Sequence, residues 1–141
     1  MQIGFIGRRC SLSKDHKEIL RYIIRRLCML NDVERFHFAD VKGANNDAHD
    51  VMLAINYDYS MFDNPISLYS HPTLCASERA YCTAAFVYPA RDNLGTVFKD
   101  IVDFSDILII ESEEDFQKIT EYAKKQKGNI LFLPKKEASD D

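Results

Sequence analysis

Two short stretches carry residue types that could handle an anion. The first, QIGFIGRR at residues 2–9, is an apolar run that ends in Gly7 and continues into Arg8 and Arg9. A glycine permits a tight turn, backbone N–H groups at a following helix start favour negative charge, and an arginine forks onto phosphate oxygens. The second, FHFADVKGANNDAHD at 36–50, sets Asp40, Gly43 and Asn45 between an apolar run and a helix start. Asp40 could accept from a ribose hydroxyl there, and Gly43 would let a ligand approach the backbone. The competing reading is an ordinary turn with an Asn or Asp cap and two solvated arginines. A Gly-x-Asn without Gly-x-Gly-x-x-Gly does not specify a nucleotide site by itself.

Other chemistries fit less well. After ILII at 107–110 come Glu111, Ser112 and then Glu113, Glu114 and Asp115 at the expected start of a helix. A phosphate seat needs glycine and bare N–H groups at that place. Carboxylates there would stabilise the helix end themselves and repel a phosphate, so capping is the preferred reading. Glu78, Asp92 and Glu111 are the carboxylates an N-glycosidase could use, but a carboxylate without a shaped pocket is not catalysis. His71, Cys75 and Cys82 match no standard zinc spacing and lack an evident fourth ligand. His16, His37 and His49 fall on expected helices or a strand and read as structural or solvent-facing. With no nucleophile elbow, H-E-x-x-H or Cys–His arrangement, no catalytic residue, metal or cofactor is assigned.

The elements that must position these residues follow from hydrophobic period. Residues 2–7 read as a buried parallel strand. Ser13 is a good N-cap for a helix carrying Leu20, Ile23, Ile24, Leu27 and Cys28 on one face and ending near Asn31. A strand at 35–39 leads to a helix from about Asn46 with Ala48, Val51, Met52 and Ile55 aligned. Residues 56–64 (NYDYSMFDN) read as loop, 66–69 as a short strand, the section through Arg79 as irregular, and 86–88 as a strand edge before Pro89. Val97, Phe98, Ile101 and Val102 mark a further helix, ILII a strand, 113–127 a helix closed by Gly128, and 129–133 the last strand. Strands alternating with helices predict an α/β fold: a single Rossmann-like three-layer sandwich with a mainly parallel sheet of about five strands. The domain spans 1–134, and 135–141 is expected to be a flexible acidic tail.

The totals narrow the function classes. At 141 residues the chain can bury one real core, and a net charge of −4 argues against duplex nucleic acid or anionic membrane as the main partner. No stretch approaches the roughly 18 to 20 apolar residues of a membrane span, and the N-terminus lacks signal-peptide order. The four scattered cysteines suit reduced thiols in a cytoplasmic protein.

The ordered motifs resemble the small SLOG-type Rossmann-like proteins, relatives of the LOG phosphoribohydrolases, DNA-processing protein A and the YspA/YpsA-like families. The likeness runs over about residues 1–134. MQIGFIGRR is similar to the family's opening strand and Gly-x-Arg turn. FHFADVKGANNDAHD is similar to its second strand and helix start, SERAYC and YPARDN to its mid-chain loop, and KDIVDFSDILII to the helix and strand that follow. The resemblance implies recognition of a nucleotide or nucleotide-derived small molecule at the carboxyl edge of the sheet, through Gly7, Arg8, Arg9, Asp40, Gly43 and Asn45. It also implies a link to bacterial and phage conflict systems and a plausible homodimer through sheet-flanking helices. The departures are specific. The family's acidic residue after Gly-Ala is Asn45, ESEEDF stands where its Gly-Thr phosphate turn belongs, and the Pro-Gly-Gly-x-Gly-Thr-x-x-Glu motif is absent. The expectation is therefore a non-catalytic binding module. The alternative is a degenerate relative acting by protein–protein contact, as a viral or mobile-element accessory protein, for which the aromatic-rich 57–69 section is the motivating feature.

Overall fold

The computed structural model describes residues 1–58, 65–126 and 129–135. Strand β1 (Gln2–Ile6) enters helix α1 (Lys14–Leu30), whose first turn is capped by the Ser13 hydroxyl accepting from the His16 N–H at 3.1 Å. Then follow β2 (Arg35–Ala39), α2 (Ala44–Asp58), β3 (Ser67–His71), the two-residue β4 (Phe86–Val87), α3 (Leu94–Phe104), β5 (Ile107–Ile110), α4 (Gln117–Gln126) and β6 (Ile130–Phe132). All neighbouring strands are parallel, in the order β4-β3-β2-β1-β5-β6. The fold is the expected Rossmann-like sandwich, with six strands among the described residues where about five were expected.

The two faces of the sheet bury separate cores, as parallel strands with helix crossovers require. On one face Phe5, Phe36 and Phe38 lie fully buried under Leu20 and Ile24 of α1 and Met52 and Ile55 of α2. Each such ring removes enough apolar surface from water to stabilise the fold by about 2–3 kcal/mol. On the other face Ile6, Ala39 and Ile110 pack under Val97, Phe98 and Ile101 of α3 and Ile119 and Ala123 of α4.

Several boundaries differ from those expected. Helix α2 starts two residues early and runs through Asn56, Tyr57 and Asp58, because the Asn56 side chain bonds both backbone groups of Ile66 and carries the helix on to meet β3. Strand β3 extends to His71, so Ser70 and His71 are ladder residues rather than loop. The segment before α4 is a short 3-10 turn, Glu114–Phe116, with no side-chain capping bond. Its acidic residues instead pair with lysines: Glu113 with Lys124 and Glu114 with Lys135. The expected loop at 59–64, the Gly128 stop and residues 136–141 of the tail lie outside the described residues. Among the described residues no helix is long and apolar enough to cross a membrane.

Candidate functional site at the carboxyl edge of the sheet

The chain builds outward from β1 through β2, β3 and β4, then returns by α3 to lay β5 on the other side of β1. The topological switch point therefore falls between β1 and β5, where ligands of open α/β sheets bind. The Ile6↔Ile110 register sets the loop after β1 beside the loop after β5, so Gly7 and Arg8 meet Glu111.

Glu111 fills the place expected for an anion. Its side chain is fully buried, and one carboxylate oxygen accepts the Arg8 backbone N–H at 2.7 Å. The other oxygen accepts from Arg8 Nε at 3.1 Å and Nη2 at 2.9 Å. These are charge-assisted bonds of the kind a phosphate would make. The carboxylate raises the already high pKa of the Arg8 guanidinium, mainly through that hydrogen bond. Asp115 adds a longer contact to Arg8 at 3.7 Å. Glu111 is among the carboxylates a glycosidase could use, and in the fold it closes the β1 turn instead.

The neighbouring N–H group is also taken. Gly7 donates to Asn45 Oδ1 at 3.1 Å, and its carbonyl accepts from Asn45 Nδ2 at 2.8 Å. The buried Asn45 amide thus staples β1 to the start of α2. Gly43 has φ +103°, and a side chain there would collide with the Arg9 carbonyl. The two crossover loops touch at this glycine, with the Ala44 N–H donating to the Arg8 carbonyl at 3.0 Å. The freedom of Gly43 serves that contact rather than an incoming ligand.

Asp40 is buried and already saturated. Arg79 donates to one of its oxygens through Nε at 3.0 Å and Nη2 at 2.9 Å, and the Cys82 N–H donates to the other at 3.0 Å. Arg9 pairs with Glu78 at 2.9 Å. Three arginine–carboxylate pairs, Arg8–Glu111, Arg9–Glu78 and Arg79–Asp40, thus neutralise the edge from within. The structure brings all six expected ligand residues to one edge, but their polar groups are directed at each other and at the loops. Sequence reasoning missed Arg79. The signal was SERAYC, a charged pair in an otherwise uncharged stretch that follows the second strand by about the length of one crossover.

What stays open is a cleft of about 490 Å³ beside the switch point, between the β1 loop and the end of β6. Glu111, Glu113, Glu114 and Asp115 line it together with Arg8 and Lys135, so its wall carries both signs and is mostly acidic. His16 reaches its rim and bonds the Pro134 carbonyl at 2.8 Å. The other candidate groups lie elsewhere. His37 is fully buried and bonds His71 at 2.9 Å, Cys75 contacts the Ser77 hydroxyl and Cys82 contacts Asn46. His49 is buried against the Thr83 carbonyl, and Asp92 is exposed in the bend before α3. Among the described residues no group of three or more His, Cys, Asp or Glu side chains could hold a metal ion.

No protein-family model matches the chain, and no curated protein matches it.

Proposed function

We propose that this chain is a divergent SLOG-like binding module that works by contact with a protein surface, without chemistry on a bound nucleotide. The observation that carries the reading is the Glu111 carboxylate on the Arg8 N–H and guanidinium. A phosphate entering the same seat must displace a buried anion from its arginine partner. It would gain bonds worth roughly 1.5–3 kcal/mol each only by giving up equivalent ones. Such an exchange leaves little net affinity. Isothermal titration of the whole chain with a nucleotide panel that includes ADP-ribose should give no heat, while affinity capture returns a specific protein. Micromolar binding of any nucleotide by the unaltered chain would overturn this.

A second reading keeps a nucleotide-type ligand at the same edge, favoured by the cleft that borders Arg8. The Arg8 side chain is about half exposed, so it can face both Glu111 and the cleft. Here Arg8→Ala abolishes a titration heat that the unaltered chain shows. The bacterial or phage conflict setting suggested by the resemblance goes with either reading.

A further inference from the structure

The edge of the sheet farthest from the cleft carries a different kind of surface. Strand β4 pairs with β3 on one side and is the terminal strand on the other. Backbone bonds to the β3 side continue on either side of Phe86–Val87. The Ala85 N–H bonds the Leu68 carbonyl, Tyr88 bonds Ser70, and Arg91 bonds Pro72. Residues 85–91 therefore follow the 68–72 edge over roughly 13 Å, three residues advancing against two at each step, so the stretch is bulged outside Phe86–Val87.

Exposed edge strands are ordinarily blunted by charge. Residues 80–90 (AYCTAAFVYPA) contain no Asp, Glu, Lys or Arg. Pro89 removes one donor, which leaves 85–88 as the pairable stretch. Helix α3 lies over β1 and β2, and beyond it the same face is made of rings. Tyr69 stacks on Phe86 at 5.5 Å, Phe86 meets Tyr88 edge-on at 4.8 Å, and Tyr88 meets Phe104 at 4.9 Å. Phe86 is 47% exposed, Val87 50% and Phe104 40%.

We propose that a second copy of this chain covers this edge, its β4 pairing antiparallel with β4 across a twofold axis. The proposal rests on the reading that the protein works by protein contact, and it names the contact surface and the partner. Two features select a second copy. The first is charge: two chains of net −4 repel, and the uncharged 80–90 run is a stretch where they meet with no like charges opposed. The second is area. Phe86, Val87 and Phe104 expose on the order of 250 Å² of side chain per copy. The rims of Tyr69 and Tyr88, the exposed Leu74 beside Arg91 and the strand backbone bring the face toward the roughly 800 Å² that each partner contributes to a stable interface. One twofold operation satisfies the open ladder and continues the ring layer. An isolated peptide strand would do only the first.

Sedimentation velocity of the full chain over about 1–100 µM tests this, a range in which an interface of this size is populated. The expected result is a dimer that Val87→Lys converts to monomer with unchanged far-UV circular dichroism. Tyr22→Lys, on the exposed face of α1, leaves the dimer intact. A monomeric unaltered chain overturns the proposal, as does a dimer broken by Tyr22→Lys and not by Val87→Lys. If Val87→Lys unfolds, Phe86→Ser at the same edge replaces it with the same expectation. A monomer that still captures a specific partner protein overturns the twofold and leaves the protein-contact reading standing.

Discussion

Glu111 and His71 show how much a single buried side chain decides in this molecule. Glu111 is the anion of its own site, so Glu111→Ala should turn a filled seat into an empty one. The variant loses the carboxylate from a half-exposed arginine and a backbone donor, which costs about 2 kcal/mol, below the 3–5 of a wholly buried pair. In exchange its melting temperature should rise when inorganic phosphate is added, as binding to the native state requires, while the unaltered chain stays unmoved. Equal thermal shifts for both proteins would show that Glu111 does not occupy the seat. His71 is buried beneath Tyr88, with ring centroids 4.1 Å apart, and bonds His37. Burial first and the neighbouring imidazole second push its pKa down from 6.5 to about 3. The unfolded chain therefore takes up a proton that the folded chain refuses. The stabilisation is complete above about pH 6.5 and is lost at roughly 1.4 kcal/mol per pH unit as the pH falls toward 3. Urea titrations between pH 7 and 4 should show that slope, and His71→Gln should flatten it.

At the scale of elements, the crossover loops are held by shape as much as by charge. The loop after β2 approaches the loop after β1 so closely that Gly43 has no room for a side chain, and its φ of +103° disfavours one in any case. Gly43→Ala should cost at least about 2 kcal/mol, the sum of left-handed strain and displacement of the Arg9 carbonyl. Chemical denaturation reads this directly, and a loss below about 0.5 kcal/mol would mean that the two loops move apart easily. The segment after β5 departs further from the sequence expectation. Carboxylates at 113–115 suggested helix capping, and the charge placement is right for the dipole. The folded chain instead offers Lys124 in the last turn of α4 and Lys135 after β6, and ion pairs form with them. A local rule had no access to Lys135, which arrives only when β6 pairs with β5.

For the whole molecule, the four cysteines report which parts of the fold are open. Cys10 and Cys75 are exposed, whereas Cys28 and Cys82 are half-buried. Burial pushes the Cys28 thiol up to about 11, and burial together with Asp40 pushes Cys82 up to about 12. Iodoacetamide at about pH 8 should therefore modify Cys10 and Cys75 and spare the other two until the protein unfolds, as peptide mass mapping would show. Early labelling of Cys82 would mean that the 72–85 loop opens and releases Asp40. The alternation of strands and helices, the Ser13 cap and the two apolar faces were legible from the sequence, because hydrophobic period and capping are properties of neighbours a few residues apart. So was the gathering of Gly7, Arg8, Arg9, Asp40, Gly43 and Asn45 at one edge, because all follow parallel strands. What each of those residues binds was decided only in three dimensions. Glu111 stands 103 positions from Arg8, and Arg79 stands 39 from Asp40. A charged side chain takes the partner that strand register delivers to it, and the register of β1 with β5 comes from packing two apolar faces at once.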